Sequence, residues 1–192
     1  MRIICSLIMV MAMALPAAAS AGKAVTYDVD GAPYEGYFVS PAPDAPLVLL
    51  IHDWDGLTDY EVKRAEMLAA EGYAVFAADL FGAGVRPTKV EDKRQHTGEL
   101  YKDRAKMRAL IQGALDTAKA HGADTTNAVV MGYCFGGAAV LEFARSGAAM
   151  KGFVTFHGGL KTPEGQDYAQ TQGQVLVFHG TADQAITMDQ FA

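Results

Sequence analysis

The chain has 192 residues, 51% of them hydrophobic and 20% charged, with a formal net charge of −6. That length and balance suit one globular domain better than two. The acidic excess and the lack of any Lys/Arg-rich run exclude nucleic acid as an expected partner, because an acidic surface repels phosphate backbones.

In chain order, Met1 and Arg2 form a short basic start, Ile3 to Leu15 are almost wholly apolar, and Pro16 breaks the run. The small residues Ala17-Ala18-Ala19 and Ala19-Ser20-Ala21 then offer sites that signal peptidase accepts. Residues 1–21 are therefore expected to be a secretory signal peptide and 22–192 a mature domain in the periplasm or outside the cell. The apolar stretch is short for a bilayer span, so no stable membrane association is expected after cleavage. Cleavage also removes Cys5, which leaves Cys134 as the single thiol and rules out an internal disulfide framework.

Val25-Tyr27-Val29 and Tyr34 to Val39 alternate apolar and polar residues about Asp30-Gly31, a pattern that predicts an antiparallel hairpin. Leu47 to Ile51 is a continuous aliphatic run, as a strand covered on both faces requires; similar runs recur at Tyr73 to Ala78, Ala128 to Met131, Phe153 to Phe156 and Val175 to Phe178. Thr58 and Glu61 have capping-box spacing before a helix predicted over Asp59 to Ala70, with Met67 and Leu68 inward and Gly72 closing it. One long helix is predicted over Thr97 to His121, because Leu100, Met107, Leu110, Ile111, Ala114 and Ala118 share a face. Strand and helix in alternation define an α/β fold in three layers, a mostly parallel sheet with helices on both faces and the hairpin at its N-terminal side. In such sheets chemistry gathers beyond the carboxyl ends of the strands.

Three strand ends carry candidate residues. Ala128 to Gly137 runs from an aliphatic strand through Gly132-Tyr133-Cys134-Phe135-Gly136 into a helix, the G-x-C-x-G pattern of a tight turn that lifts a nucleophile above the sheet. The glycines leave room in a crowded bend, and the helix start is expected to aim N–H groups at the sulfur, favouring the thiolate and supplying half an oxyanion hole through the Phe135 amide. The bland alternative is a buried structural cysteine. Asp183, just past the late strand, is the candidate acid that orients a base, against a turn-capping role before a helix starting near Thr187. After the first buried strand, His52-Asp53-Trp54-Asp55-Gly56 could supply the second oxyanion amide from Trp54 and a carboxylate, Asp53, beside the thiol; Asp53 and Asp55 could equally cap the following turn. His52, His157 and His179 each sit at a strand end, where hydrogen bonding in loops is the ordinary role of a histidine, and no pair has metal-ligand spacing. Neither a metal nor another cofactor is expected.

The segments His52 to Leu57, Ala78-Asp79-Leu80-Phe81-Gly82, Gly132 to Gly137 and His179-Gly180-Thr181-Ala182-Asp183 together resemble successive blocks of the dienelactone hydrolase family, within the α/β-hydrolase superfamily, from about Tyr27 onward. The resemblance implies a Cys-His-Asp triad in which Cys134 attacks an ester or lactone carbonyl, Asp183 orients the base, and the Phe135 and Trp54 amides hold the oxyanion. In the family a Glu before the loop aromatic interacts with the resting thiol, and Asp53 stands in that place here. Arginines bind the substrate carboxylate in family members that act on dienelactone; Arg86 lies in a loop that could supply one. The family's histidine follows one more strand beyond Asp183, and none of the five histidines comes after Asp183. The domain is therefore expected to be incomplete at its C-terminus. The implied function is hydrolysis of a small-molecule carboxylic ester or lactone through a thioester. The alternative is a non-catalytic binding module on a hydrolase scaffold. A thiol redox protein is disfavoured, since no second cysteine is present to resolve a disulfide.

Overall fold

A computed structural model describes residues 21–191. The signal-peptide expectation for residues 1–21 falls almost wholly outside them. The elements in chain order are β1 (Lys23–Val29), β2 (Ala32–Val39), β3 (Pro46–Ile51), α1 (Asp59–Ala70), β4 (Ala74–Ala78), α2 (Val90–Lys102), α3 (Arg104–Ala120), β5 (Asp124–Tyr133), α4 (Phe135–Arg145), β6 (Ala149–Phe156) and β7 (Gln172–Phe178), followed by a single 3-10 turn at Met188–Phe191.

The strands form one seven-stranded sheet in the order β1-β2-β4-β3-β5-β6-β7. β1 and β2 are the expected antiparallel hairpin, with Val29 opposite Ala32 across Asp30-Gly31, and β2 joins β4 antiparallel. Every other pairing is parallel. Both turn residues have positive φ, 54° and 79°, as a two-residue hairpin turn demands.

The central strands are buried on both faces, and their alternation sorts the core into two layers. Leu47, Leu49, Ile51 and Phe76 pack with Leu110, Ile111, Ala139 and Val140 of α3 and α4. Val48, Leu50, Val75 and Ala77 pack with Ala65 and Ala69 of α1. Each such aliphatic side chain contributes about 1.5–3 kcal/mol through removal from water, so β3 and β4 are the most firmly held part of the sheet.

Three expectations need correction. The predicted helix over Thr97 to His121 is two helices. Asp103 leaves helical geometry (φ −110°, ψ 78°) and its carboxylate accepts from Lys106 N, so a side-chain cap starts a new helix inside a pattern whose apolar spacing ran through the break. Met67 is half exposed rather than inward, whereas Leu68 packs inward as expected, beside Ala65 and Ala69. Finally, the run at Val175 to Phe178 is not covered on both faces: β7 is an edge strand, and Val175, Leu176 and Phe178 are 38%, 47% and 51% exposed. Phe178 is steadied by an aromatic ladder along the rim, stacking on Phe156 at 4.9 Å, which stacks on Tyr133 at 5.0 Å.

Because β3 to β7 run parallel, their carboxyl ends lie along one edge. His52, Asp79, Cys134, His157 and His179 each follow a strand there.

Candidate active site

β5 passes into α4 through one residue, Cys134, at φ 52° and ψ −112°. A side chain in that region stores about 1–3 kcal/mol of strain. The surrounding bonds hold it: Cys134 N donates to Phe156 O at 3.0 Å, and Ala138 N donates to Cys134 O at 3.2 Å. The flanking glycines are dictated by close approach. A Cβ at Gly132 would lie 2.5 Å from the Gly136 carbonyl, and one at Gly136 would lie 2.5 Å from Ile51 O.

The sulfur is half-buried and faces a cleft of about 290 Å³. Trp54 borders it from the loop after β3, Thr97 and Tyr101 from one face of α2, Phe135 from the start of α4, and Gly159 and Ile186 from the loops after β6 and β7. The Phe135 amide is directed at the sulfur and pulls its pKa down, but burial pushes it up, and so do the negative charges of Asp53, Asp183 and Asp55. Burial and the carboxylates prevail, so the resting group is a thiol held above the ordinary cysteine value. The helix start alone does not deliver the thiolate expected from it. The same sulfur, after burial, helps to raise Tyr101 to about 12.

The loop after β3 is pinned at several points. His52 is fully buried, with Nδ1 2.6 Å from Asp53 O and Nε2 accepting from Leu80 N at 3.1 Å. Burial lowers its pKa, which leaves a neutral imidazole with both nitrogens engaged. Asp53 accepts from Asp55 N at 2.8 Å. Asp55 is ion-paired with Lys93 of α2, whose ammonium lies 5.1 Å from the centre of the Trp54 ring. The Thr58–Glu61 capping box then anchors α1, as predicted.

Asp183 lies after β7 with its side chain in a turn, accepting from Ala185 N at 2.9 Å and Ile186 N at 3.0 Å. Those two amides, with His179 and His157 nearby, hold its carboxyl below the usual range. Ile186, the second donor, borders the cleft, so this turn sets part of the wall. His179 has Nε2 2.6 Å from Ile186 O, while His157 is exposed at φ 42° with its amide donating to Phe178 O. His96 stacks on Phe81 and His121 packs against Phe38.

The structure thus brings Cys134, Phe135 and Trp54 to one cleft, while Asp53 and Asp183 do not line it and act on the thiol through their fields. Arg86 is placed elsewhere: Nη1 donates to Val85 O at 2.8 Å and lies 3.7 Å from Asp79. Asp79 is itself fully buried, accepting from Glu35 N, Phe81 N and Gly82 N, so Arg86 helps to balance a carboxylate that braces the loop after β4. Sequence reasoning missed Thr97, Tyr101 and Lys93. The i, i+4 spacing of Thr97 and Tyr101 was a usable signal, but reading one continuous helix drew attention to the core-facing Leu100 instead. Among the described residues no group of three or more His, Cys, Asp or Glu could hold a metal ion, and no helix is long and apolar enough to cross a membrane.

A tight, glycine-flanked turn between a central parallel strand and its helix, at the carboxyl edge of a mostly parallel sheet with helices on both faces, is the layout of an α/β-hydrolase fold. The dienelactone hydrolase family model matches residues 34–192, and the chain belongs to that family. Among solved structures, one described as m3DLH is 35% identical with a TM-score of 0.83 over 89% of this chain and 73% of its own. A dienelactone hydrolase-like promiscuous phosphotriesterase from metagenomic libraries is 32% identical with a TM-score of 0.84, over 91% and 74%. The curated protein usf of Aquifex pyrophilus is 27% identical over 128 residues, 64% of this chain. The chain spans about half (55%) the length of that relative.

Proposed function

We propose that this protein cleaves a small carboxylic ester or lactone through a thioester on Cys134. The observation that carries the reading is the strained turn that holds a half-buried thiol at the wall of a cleft, with the Phe135 amide directed at its sulfur. In this mechanism Sγ attacks the carbonyl carbon, the Phe135 and Trp54 amides take the oxyanion, and collapse of the tetrahedral adduct expels the alcohol. Water then cleaves the thioester. Because the resting group is a thiol, its proton passes through a base to the departing alkoxide as the adduct collapses, and the water that cleaves the thioester gives its OH to the acid and a proton back to the sulfur. Asp183 is the carboxylate that would orient an imidazole base for this, and Asp53 stands beside the thiol; such proton transfer is worth about 10²- to 10⁴-fold in rate.

Substitution Cys134→Ala is expected to lower turnover of p-nitrophenyl butyrate by more than about 10²-fold, since it removes the covalent route. Unchanged turnover would refute the assignment of the nucleophile. The alternative is a non-catalytic binding module on the same scaffold, for which Asp53 in the place of the family's Glu speaks; a folded protein that turns over no ester would bear that alternative out. We also propose export to the periplasm or beyond it, supported by the basic, apolar and small-residue pattern of residues 1–21. The N-terminal sequence of the protein recovered outside the cytoplasm tests this, with Gly22 the expected first residue.

A further inference from the structure

We propose that His52 is a positioning residue for the oxyanion hole: its buried imidazole grips the Asp53–Trp54 peptide from behind and so aims the Trp54 amide at the cleft. The inference rests on the hydrolase reading above. His52 is fully buried and does not border the cleft, so it acts through its neighbours. Its two ring nitrogens have opposite roles. Nε2 lies 3.1 Å from Leu80 N, a group that can only donate, so this nitrogen is bare and the ring proton sits on Nδ1. Nδ1–H therefore donates to Asp53 O, 2.6 Å away.

That carbonyl belongs to the same peptide unit as the Trp54 N–H. No cis peptide occurs among the described residues, and in a planar trans unit the C=O and N–H point in opposite directions. Holding the oxygen on the buried side turns the N–H to the other, where Trp54 borders the cleft. A carbonyl that accepts a hydrogen bond also makes the N–H of its own unit a stronger donor, because the two polarise together.

The imidazole is itself fixed against the rest of the site. Its ring meets Phe81 edge-on at 4.6 Å and lies 6.0 Å from the Phe135 ring at 29°. Phe135 supplies the other amide of the hole, and the His52 carbonyl packs directly against Gly136, where a Cβ has no room. One buried side chain thus contacts both residues whose amides would meet the oxyanion.

Two substitutions separate the contacts. In His52→Asn the amide nitrogen takes the place of Nδ1 and can still donate to Asp53 O. In His52→Gln the side-chain oxygen takes the place of Nε2 and keeps the Leu80 bond alone. With p-nitrophenyl butyrate, His52→Gln should lower kcat by at least about tenfold with KM within about twofold, short of the 10²- to 10³-fold that outright loss of an oxyanion donor costs. His52→Asn should recover most of that loss. Alkylation of Cys134 by iodoacetamide, read by peptide mass spectrometry, forms no oxyanion, so its rate should be the same in both variants as in the unaltered protein. Equal kcat in the two variants, or alkylation that falls in step with kcat, overturns the proposal.

The unaltered protein offers a test that needs neither catalysis nor a folded variant. Nitrogen-15 NMR of the histidine rings at neutral pH should show His52 as the neutral Nδ1–H tautomer, the reverse of the form that free imidazole side chains favour in water. The Nε2–H tautomer, or an imidazolium, overturns the proposal. Absence of ester turnover in the unaltered protein, with the Nδ1–H tautomer present, would strike the hydrolase reading and still support the orientation of the Trp54 peptide.

Discussion

Helix α4 joins two regions of opposite electrostatic design. At its start Cys134 sits among three carboxylates and is held as a thiol. Eight positions on, Glu142 is fully buried and accepts from Arg104, Arg108 and Arg145 at 2.9, 2.9 and 3.0 Å, with Gln166 at 3.2 Å. Arg145 in turn donates to Gln166 and to Tyr168. Burial alone would raise the Glu142 pKa, yet Arg145 and Arg104 hold it below the ordinary glutamate value. One end of the helix thus has a charge fully answered by its neighbours, which ties α3, α4 and the segment before β7 together. At the other end Asp53 and Asp183 are met by backbone amides rather than by a guanidinium, while Asp55 is paired with Lys93. Charge met by guanidinium groups serves the fold, whereas charge met by amides leaves a field on the thiol.

The sharpest way to break the comparison is at the answered end. Glu142→Ala leaves three guanidinium groups around a partly buried gap, and should destabilise the protein by about 3–5 kcal/mol, read by urea denaturation. A loss below about 1 kcal/mol, the scale of a surface pair, would show the network to be ornamental. A related effect follows from pH. The folded pKa of Glu142 is depressed, so its contribution is complete above the unfolded value of 4.5 and is lost as pH falls through the lower folded value. Acid unfolding should therefore begin below pH 4.5, and the Glu142→Ala variant should lose the part of that slope that belongs to this residue.

The thiol end should respond in the opposite sense and more weakly. Asp53→Asn removes the largest of the three like charges acting on the sulfur, so the thiol pKa should fall and alkylation by iodoacetamide near pH 7.5 should quicken by about two- to threefold, the scale of a screened charge pair. Slower alkylation would mean that Asp53 activates the thiol rather than restraining it.

Much of this architecture was legible in the residues. The two-faced strands, the Asp30-Gly31 hairpin, the Thr58–Glu61 cap and the glycine-flanked cysteine turn each rest on local chemistry within a few positions. What escaped left no mark on the apolar period. Asp103 ends one helix and caps the next without disturbing the apolar period, so spacing could not reveal the break. Arg86 looked available because nothing in the sequence marks Asp79, seven positions earlier in the same loop, as a buried partner. The sign of the Cys134 shift was hidden because its largest cause is burial, which the packing sets, whereas the helix start is local in sequence.

The most direct test of the nucleophile is to trap the acyl group. After brief reaction with a slowly hydrolysed p-nitrophenyl ester and an acid quench, peptide mass spectrometry should find the acyl mass on the peptide carrying Cys134, removable by hydroxylamine and absent from Cys134→Ala. Ester turnover with that peptide unmodified, or an equal adduct surviving in Cys134→Ala, would contradict the account.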